Sequence, residues 1–194
     1  MINYRNLLTQ NIRSSIQAKQ EFLLLDQQLD NFDNAVKCVV DSYKNDGRIY
    51  IAGNGGSAAD AQHLAAEFVS RLGRERGPLA AEALTVDSST ITAIGNDYGY
   101  DEIFARQIAG KMRPEDVFLA ITTSGNSPNI LRALEQCAEL SIPSIVFTGR
   151  DGGKAKALTD YCVITCGEST ATIQELHIVL AHSLCECVEM EMFS

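Results

Sequence analysis

The chain has 194 residues, of which 45% are hydrophobic, and a formal net charge of −9. This length and composition predict one soluble domain with a full core. The negative charge, with no lysine- or arginine-rich run, argues against binding to nucleic acid or to an anionic membrane. The first fifteen residues lack the apolar core of a signal peptide, and no apolar run approaches the roughly 20 residues that span a bilayer. We therefore expect a cytoplasmic protein whose six cysteines are free thiols.

The chain opens with two predicted amphipathic helices. Apolar residues at helical spacing place the first over residues 3–25 and the second over residues 29–45, where an Asn-Asp-Gly sequence ends it. We assign residues 1–46 to these helices, used in oligomer packing, and residues 47–194 to an α/β core of the same single domain.

Strand-like and helix-like segments then alternate. The helical segment at 88–110 is broken at residues 95–99, and a long closing helix is expected over Thr170–Met192. Repeated alternation with short loops predicts a three-layer α/β/α sandwich around a five-stranded parallel sheet of the flavodoxin/Rossmann type. The strands are expected at residues 48–52, 83–86, 117–122, 144–147 and 162–165. Ligands bind beyond the carboxyl ends of such strands, which indicates the loops at 53–57, 122–127 and 148–153.

The first of these loops, GNGGS at residues 53–57, allows several interpretations. Gly53, Gly55 and Ala58 match the dinucleotide pattern G-x-G-x-x-[GA], and Asp87 follows the next strand. A P-loop is excluded because G-x-x-x-x-G-K-[ST] does not occur. The loop is either a tight turn or a contact to a phosphate or sugar, and a nucleotide-dependent oxidoreductase stays open at this point.

The second loop, TTSGNS, places four hydroxyls around one glycine at the start of a helix. We expect Ser127 as N-cap and Pro128 in the first helical position. Four hydroxyls exceed what one cap requires, which favours a phosphate monoester over an empty capped turn. The hydroxyl residues are Thr122, Thr123, Ser124 and Ser127.

The helix after the first loop carries His63 and Glu67 at i and i+4, and Arg71 continues the same stripe. Two residues at this spacing are either a surface pair or part of a metal or catalytic site, which would need ligands from elsewhere.

The closing helix offers such ligands, since Gln174 and His182 lie at i and i+8 within an apolar stripe. Polar side chains there require hydrogen-bond partners or a ligand. His177 falls on another face and is interpreted as structural.

Together these motifs resemble the phosphoheptose isomerases (sedoheptulose 7-phosphate isomerases) of the sugar isomerase, or SIS, superfamily. The resemblance spans essentially the whole chain. It rests on A-G-N-G-G-S followed by D-A-x-H-x-A-x-E, G-N-D-x-G at 95–99, T-S-G-N-S at 123–127, T-G-x-D-G-G at 148–153 and I-Q-E-x-H…H at 173–182.

The resemblance implies isomerisation of D-sedoheptulose 7-phosphate to D-glycero-D-manno-heptose 7-phosphate by a cytoplasmic homotetramer with sites shared between subunits and no nucleotide cofactor. Glu67 would move a proton between C1 and C2 through an enediol, and His182 would assist ring opening and shuttle protons on oxygen. Zinc, present in some members, would be bound by His63, Glu67, Gln174 and His182. The substrate contacts would be Asn54, Gly55, Gly56, Ser57, Glu67, Arg71, Asn96, Asp97, Thr122, Thr123, Ser124, Ser127 and Gln174.

Two positions depart from the family pattern. Thr122 stands where a serine is common, which keeps the hydroxyl, and residues 170–172 lack an Asp-Arg pair that some members carry. The alternative is a non-catalytic SIS module that binds a sugar phosphate or a protein such as the bacterial replication initiator. The presence of both Glu67 and His182 favours the enzyme.

Overall fold

A fully parallel, five-stranded sheet forms the centre of the protein, as the sequence predicts. The computed structural model describes residues 3–193. Every residue of the three central strands is buried, which is typical of parallel strands covered on both faces. The sheet has the order β2-β1-β3-β4-β5, with β1 at Ile49–Gly53, β2 at Ala81–Ala83, β3 at Val117–Thr122, β4 at Ser144–Gly149 and β5 at Tyr161–Thr165.

Helices cover both faces and complete a three-layer α/β/α sandwich. Ile51 and Phe147 point into the core on one face of the sheet, while Tyr50 and Phe118 point into the core on the opposite face. Two 3₁₀ turns, Tyr100–Glu102 and Lys154–Ala157, lie in the connections. The helices are α1 at Tyr4–Phe22, α2 at Asp26–Lys44, α3 at Gly56–Val69, α4 at Ser88–Asp97, α5 at Ala105–Lys111, α6 at Pro128–Leu140 and α7 at Thr170–Met192.

Predicted boundaries are wrong in two regions, the junction of the first two helices and the second strand. The first helix ends at Phe22 and the second already begins at Asp26, so the leucines at 23–25 form a turn rather than extending a helix. The strand expected at 83–86 is three residues long and ends at Ala83, because its pairing runs from Ile49↔Ala81 to Ile51↔Ala83. Val86 is exposed beyond it. Apolar content alone predicted these segments, but tertiary pairing determines where they stop.

The strand order creates a switch point between β1 and β3. The chain passes from β1 to β2 on one side and then returns to β3 on the other, so the crossovers leave in opposite directions. The loops at 53–57 and 122–127 both follow carboxyl ends at this point, where parallel sheets bind ligands. Among residues 3–193, none of the helices combines the length and the apolar character needed to cross a bilayer.

Candidate active site

The first loop is held in place by an amide pair that the sequence interpretation missed. The Asn54 amide nitrogen donates to Asn129 Oδ1 at 2.9 Å, and the Asn129 nitrogen donates back to Asn54 Oδ1 at 2.8 Å. The Tyr100 hydroxyl donates to the same Asn54 oxygen at 3.0 Å. Asn129 is buried in the first turn of α6, directly after the second loop. The only sequence signal for this contact was an asparagine directly after the second loop. The amide pair connects the first loop to the start of α6, next to the second loop.

The second loop packs tightly against the third. Gly125 has φ +63°, and a Cβ there would lie 2.1 Å from the carbonyl oxygen of Gly152. The side-chain oxygen of Asn126 accepts a hydrogen bond from the Lys154 N–H at 3.1 Å, which closes the contact from the other side. The loop therefore has one backbone conformation, fixed by its neighbour.

Ser127 occupies the N-cap of α6 as predicted, yet within residues 3–193 its side chain makes no capping hydrogen bond. The first N–H groups of a helix have no intrahelical acceptor, and the positive end of the helix dipole favours an anion. The uncommitted hydroxyl of Ser127 and this helix terminus lie in the loop that also carries Ser124. Such a terminus suits a phosphate monoester.

The structure brings His63, Glu67 and His182 together from α3 and α7. His63 Nε2 lies 3.0 Å from Glu67 Oε1 and 3.1 Å from His182 Nε2, and His182 Nε2 lies 3.5 Å from the same Glu67 oxygen. The three side chains, 119 residues apart at the extremes, converge because α3 and α7 pack against each other. The predicted convergence of the two polar rows is thus observed for these three residues.

This donor set fits a zinc ion. Two imidazole nitrogens and a carboxylate oxygen are typical ligands of catalytic zinc, which leaves a further position open. Ligands about 2.0–2.1 Å from a tetrahedral ion lie roughly 3.3 Å apart, close to the three separations in the cluster. All the ligand atoms lie within 4.8 Å of one another.

The two oxygens of Glu67 have different surroundings. Oε1 faces both histidines, whereas Oε2 is buried and has no hydrogen-bond partner among residues 3–193. The side chain is only 14% exposed, so water has limited access to it. A buried, unpartnered carboxylate oxygen is unfavourable unless a ligand or a proton completes it.

Gln174 packs against the first loop. A Cβ at Gly56 would lie 2.6 Å from the Gln174 Nε2 atom, so this amide lies directly against the glycine and would have to move to admit a larger residue. Gln174 therefore joins the start of α7 to the loop at 53–57, two helical turns before His182. Its assignment as a zinc ligand stays a prediction.

Three other predicted substrate residues, Arg71, Asn96 and Asp97, contact neither the His–Glu–His cluster nor the second loop in the hydrogen bonds and ion pairs of residues 3–193. Helix α3 ends at Val69, so its polar stripe does not reach Arg71, whose guanidinium pairs with exposed Glu75 at 3.2 Å. The Asn96 amide donates to the Asp97 carboxylate at 2.8 Å at the exposed end of α4. Their roles in substrate binding stay predictions.

The parallel sheet, the hydroxyl-rich loop and the carboxylate between two histidines define a sugar isomerase domain, and the family model described as "SIS domain" matches residues 13–149. The chain is 46% identical over 193 residues to phosphoheptose isomerase 2 of Campylobacter jejuni, covering 100% of this chain and 96% of the relative. It is 46% identical over 183 residues to phosphoheptose isomerase of Aneurinibacillus thermoaerophilus, covering 94% and 92%. The solved phosphoheptose isomerase of Neisseria gonorrhoeae superposes with a TM-score of 0.90 at 40% identity, covering 97% of this chain and 100% of that one. The chain belongs to the phosphoheptose isomerase family.

Proposed function

We propose that the protein converts D-sedoheptulose 7-phosphate to D-glycero-D-manno-heptose 7-phosphate, an aldose–ketose isomerisation. This is the first step towards nucleotide-activated heptose for the lipopolysaccharide core or another bacterial surface glycan. The observation that carries the proposal is the Glu67 carboxylate, which faces two imidazoles with one oxygen and keeps the other buried and free. Membership of the phosphoheptose isomerase family supports the substrate.

The phosphate of the substrate is anchored by the second loop. The hydroxyls of Thr122, Thr123, Ser124 and Ser127 and the amino end of α6 supply neutral donors and a positive dipole end. The chain's net charge of −9 makes such local donors necessary for an anionic substrate. With the phosphate held there, the sugar extends towards the first loop, where Asn54 is fixed by Asn129 and Tyr100.

Proton transfer is assigned to Glu67 and His182. The Glu67 carboxylate takes the proton from C1 of the ketose and returns it to C2, which forms the aldose through an enediol. His182 delivers a proton to O2 and receives one from O1, since an imidazole ring carries both a donor and an acceptor nitrogen. Holding both groups at fixed positions beside the substrate lowers the barrier by orienting them in advance.

We propose zinc as the cofactor, bound by His63, Glu67 and His182 with Gln174 as a further ligand. When bound, the ion supplies Lewis-acid polarisation of the substrate carbonyl. Glu67 then has two proposed roles, as a ligand of the ion through Oε1, which faces the histidines, and as the base.

We further propose a cytoplasmic homotetramer with active sites shared between subunits. Exposed apolar side chains line α1, among them Leu7, Leu8, Ile12 and Ile16, and a second copy would cover them. Helix α4 has no buried residue within the described chain although it carries Asn96 and Asp97. A neighbouring subunit packed on α4 would bring these two residues to a site.

The decisive experiment is incubation of the protein with sedoheptulose 7-phosphate in deuterated water. We expect an aldose heptose phosphate with deuterium at C2, detected by NMR spectroscopy. Binding of the sugar phosphate without deuterium at C1 or C2 would instead identify a non-catalytic SIS module. Thermal protection by NAD would favour an oxidoreductase.

The same reaction after treatment with a chelator tests the metal. We expect turnover to fall on chelation and to return with added zinc. Full turnover of a protein shown by elemental analysis to hold no metal would overturn the zinc proposal and leave the isomerase proposal standing.

A further inference from the structure

A buried ion pair that no active-site motif contains joins the two helices of the His–Glu–His cluster. Arg76 and Glu189 are exposed by only 1% and 2%, and Arg76 Nη2 lies 2.8 Å from Glu189 Oε1. Arg76 Nε donates to the same oxygen at 2.9 Å. Arg76 belongs to the loop after α3, whereas Glu189 lies on α7.

The guanidinium also caps the carboxyl end of α3. Arg76 Nη2 donates to the carbonyl oxygen of Glu67 at 2.9 Å, and Nη1 donates to that of Phe68 at 2.7 Å. The last carbonyls of a helix have no intrahelical donor, and a cation is favourable at this end of the dipole. One of the two carbonyls thus held belongs to Glu67 itself.

The carboxylate of Glu189 also holds the loop that follows α3. It accepts the backbone N–H groups of Leu72 at 2.9 Å, Gly73 at 3.3 Å and Arg74 at 3.4 Å. Burial on its own would raise the pKa of Glu189, but these hydrogen bonds and the one from Arg76 outweigh it, and the pKa lies below the ordinary value. The pair is therefore ionised at neutral pH.

Glu189 lies seven residues after His182 on α7, hence on nearly the same face about two turns away. The pair links the backbone at Glu67 to the helix that presents His182. Replacing a buried ion pair by apolar residues of similar size is often neutral for stability, so stability alone is a poor reason for these contacts.

We propose that Arg76 and Glu189 are positioning residues that set Glu67 relative to His182 and His63. The inference rests on the proposed isomerase function for its kinetic consequence, but the geometry it describes can be measured without turnover. A shift of about 1 Å in a catalytic group is enough to lower a rate by roughly 100-fold.

The test compares the wild-type protein with the double variant Arg76→Gln/Glu189→Gln, which removes both charges and keeps amide groups that can hydrogen-bond the backbone N–H and carbonyl groups now held by the pair. We expect the double variant to fold, with kcat lowered about 10–100-fold and KM changed much less. The matched control is Lys111→Gln/Glu82→Gln, which removes an ion pair of 2.6 Å between α5 and β2 whose other hydrogen-bond partner, Gln107, also lies on α5. The control should keep wild-type kcat.

A spectroscopic measurement separates this inference from the proposed function. The chain has three histidines, so the ring resonances of a histidine-labelled sample can be assigned one by one. We expect the double variant to shift the His63 and His182 rings and to leave the buried His177 ring unchanged. If the wild type fails to isomerise the substrate, the function is wrong, and these shifts still decide the inference. Wild-type His63 and His182 resonances in a folded double variant would overturn it, as would wild-type kcat in an active enzyme.

Discussion

Glu67, the proposed base, has two carboxylate oxygens in different surroundings, one facing two histidines and one buried without a partner among the described residues. The spacing of His63 and Glu67 indicates a shared helix face from sequence alone. That His182 approaches the same oxygen, at 3.5 Å, follows only from the packing of α3 on α7. The free Oε2 could not be predicted, since burial of a single atom depends on every surrounding side chain.

Glu67→Gln and His182→Gln should each lower kcat for heptose phosphate formation by at least about 100-fold, since general acid–base groups contribute factors of this size. Both substitutions preserve side-chain volume or polarity, so circular dichroism and the melting temperature should stay close to wild type. Glu75→Gln, at an exposed glutamate, serves as the control. Wild-type turnover by Glu67→Gln would remove Glu67 from the role of base.

His177 should make the protein less stable in mild acid. Its side chain is fully buried, and within the part of the chain that the structure describes neither ring nitrogen makes a hydrogen bond of good geometry. Burial lowers its pKa to about 4, against the opposing effect of the nearby Thr148 backbone. The unfolded chain binds the proton near pH 6.5, so stability is complete above that pH and is lost as the pH falls towards 4. The loss should reach about 3 kcal/mol.

Urea unfolding at pH 7.5 and pH 5 measures this effect. The His177→Met variant replaces the imidazole with an apolar side chain that does not titrate. It should therefore show a smaller decrease in unfolding free energy between the two pH values. An equal decrease in both proteins would show that other groups titrate.

At the scale of elements, the second and third loops act as one unit. Gly125→Ala places a Cβ 2.1 Å from the Gly152 oxygen at φ +63°, so the loops must separate. We expect a stability loss of about 1–3 kcal/mol, together with a raised KM for the phosphate substrate. Gly110→Ala, where the added Cβ meets no atom within 4 Å, is the control.

Ser124→Ala tests the same unit without adding a Cβ clash, although it removes the hydrogen bond that the hydroxyl accepts from the Asn126 N–H at 3.2 Å. Removing one hydroxyl should raise KM by about tenfold with little effect on kcat, and should weaken protection by inorganic phosphate in thermal unfolding. An unchanged KM would contradict the phosphate site.

The sequence predicts elements best where local signals mark both ends. Helix α7 is observed at Thr170–Met192 as predicted, because Ser169 caps it through its hydroxyl and its apolar content is continuous. Strand β2 and the turn between α1 and α2 were misplaced because their ends are set by pairing and packing. Residues 23–25 continue an apolar pattern that tertiary structure interrupts.

At the scale of the whole molecule, α1 carries an apolar stripe that the chain covers only in part. Ser15, Ala18 and Phe22 are its buried residues, and residues 4–14 contain none although Leu8 and Ile12 continue the stripe. The apolar side of the amino half of α1 is therefore not covered by other described residues of the same chain, which suits contact with a second copy of the protein.

Leu8→Glu/Ile12→Glu should dissociate the proposed tetramer and reduce turnover, if residues such as Asp97 act across a subunit boundary. Asn6→Glu/Gln10→Glu adds the same charge at exposed positions on the side of α1 away from Leu8 and Ile12, and should leave the assembly intact. Light scattering after gel filtration measures the mass. A tetramer of unchanged mass in the first variant would place the interface elsewhere.

By itself, the sequence determined the fold class, the five parallel strands, the three loops that follow their carboxyl ends and the family, because periodicity and ordered motifs are local properties of the chain. The tertiary structure decided which polar groups meet: His182 at Glu67, Asn129 at Asn54, Gly152 at Gly125 and Glu189 at Arg76. These contacts join residues far apart in sequence. Their distances depend on how helices and loops pack, which no local pattern specifies.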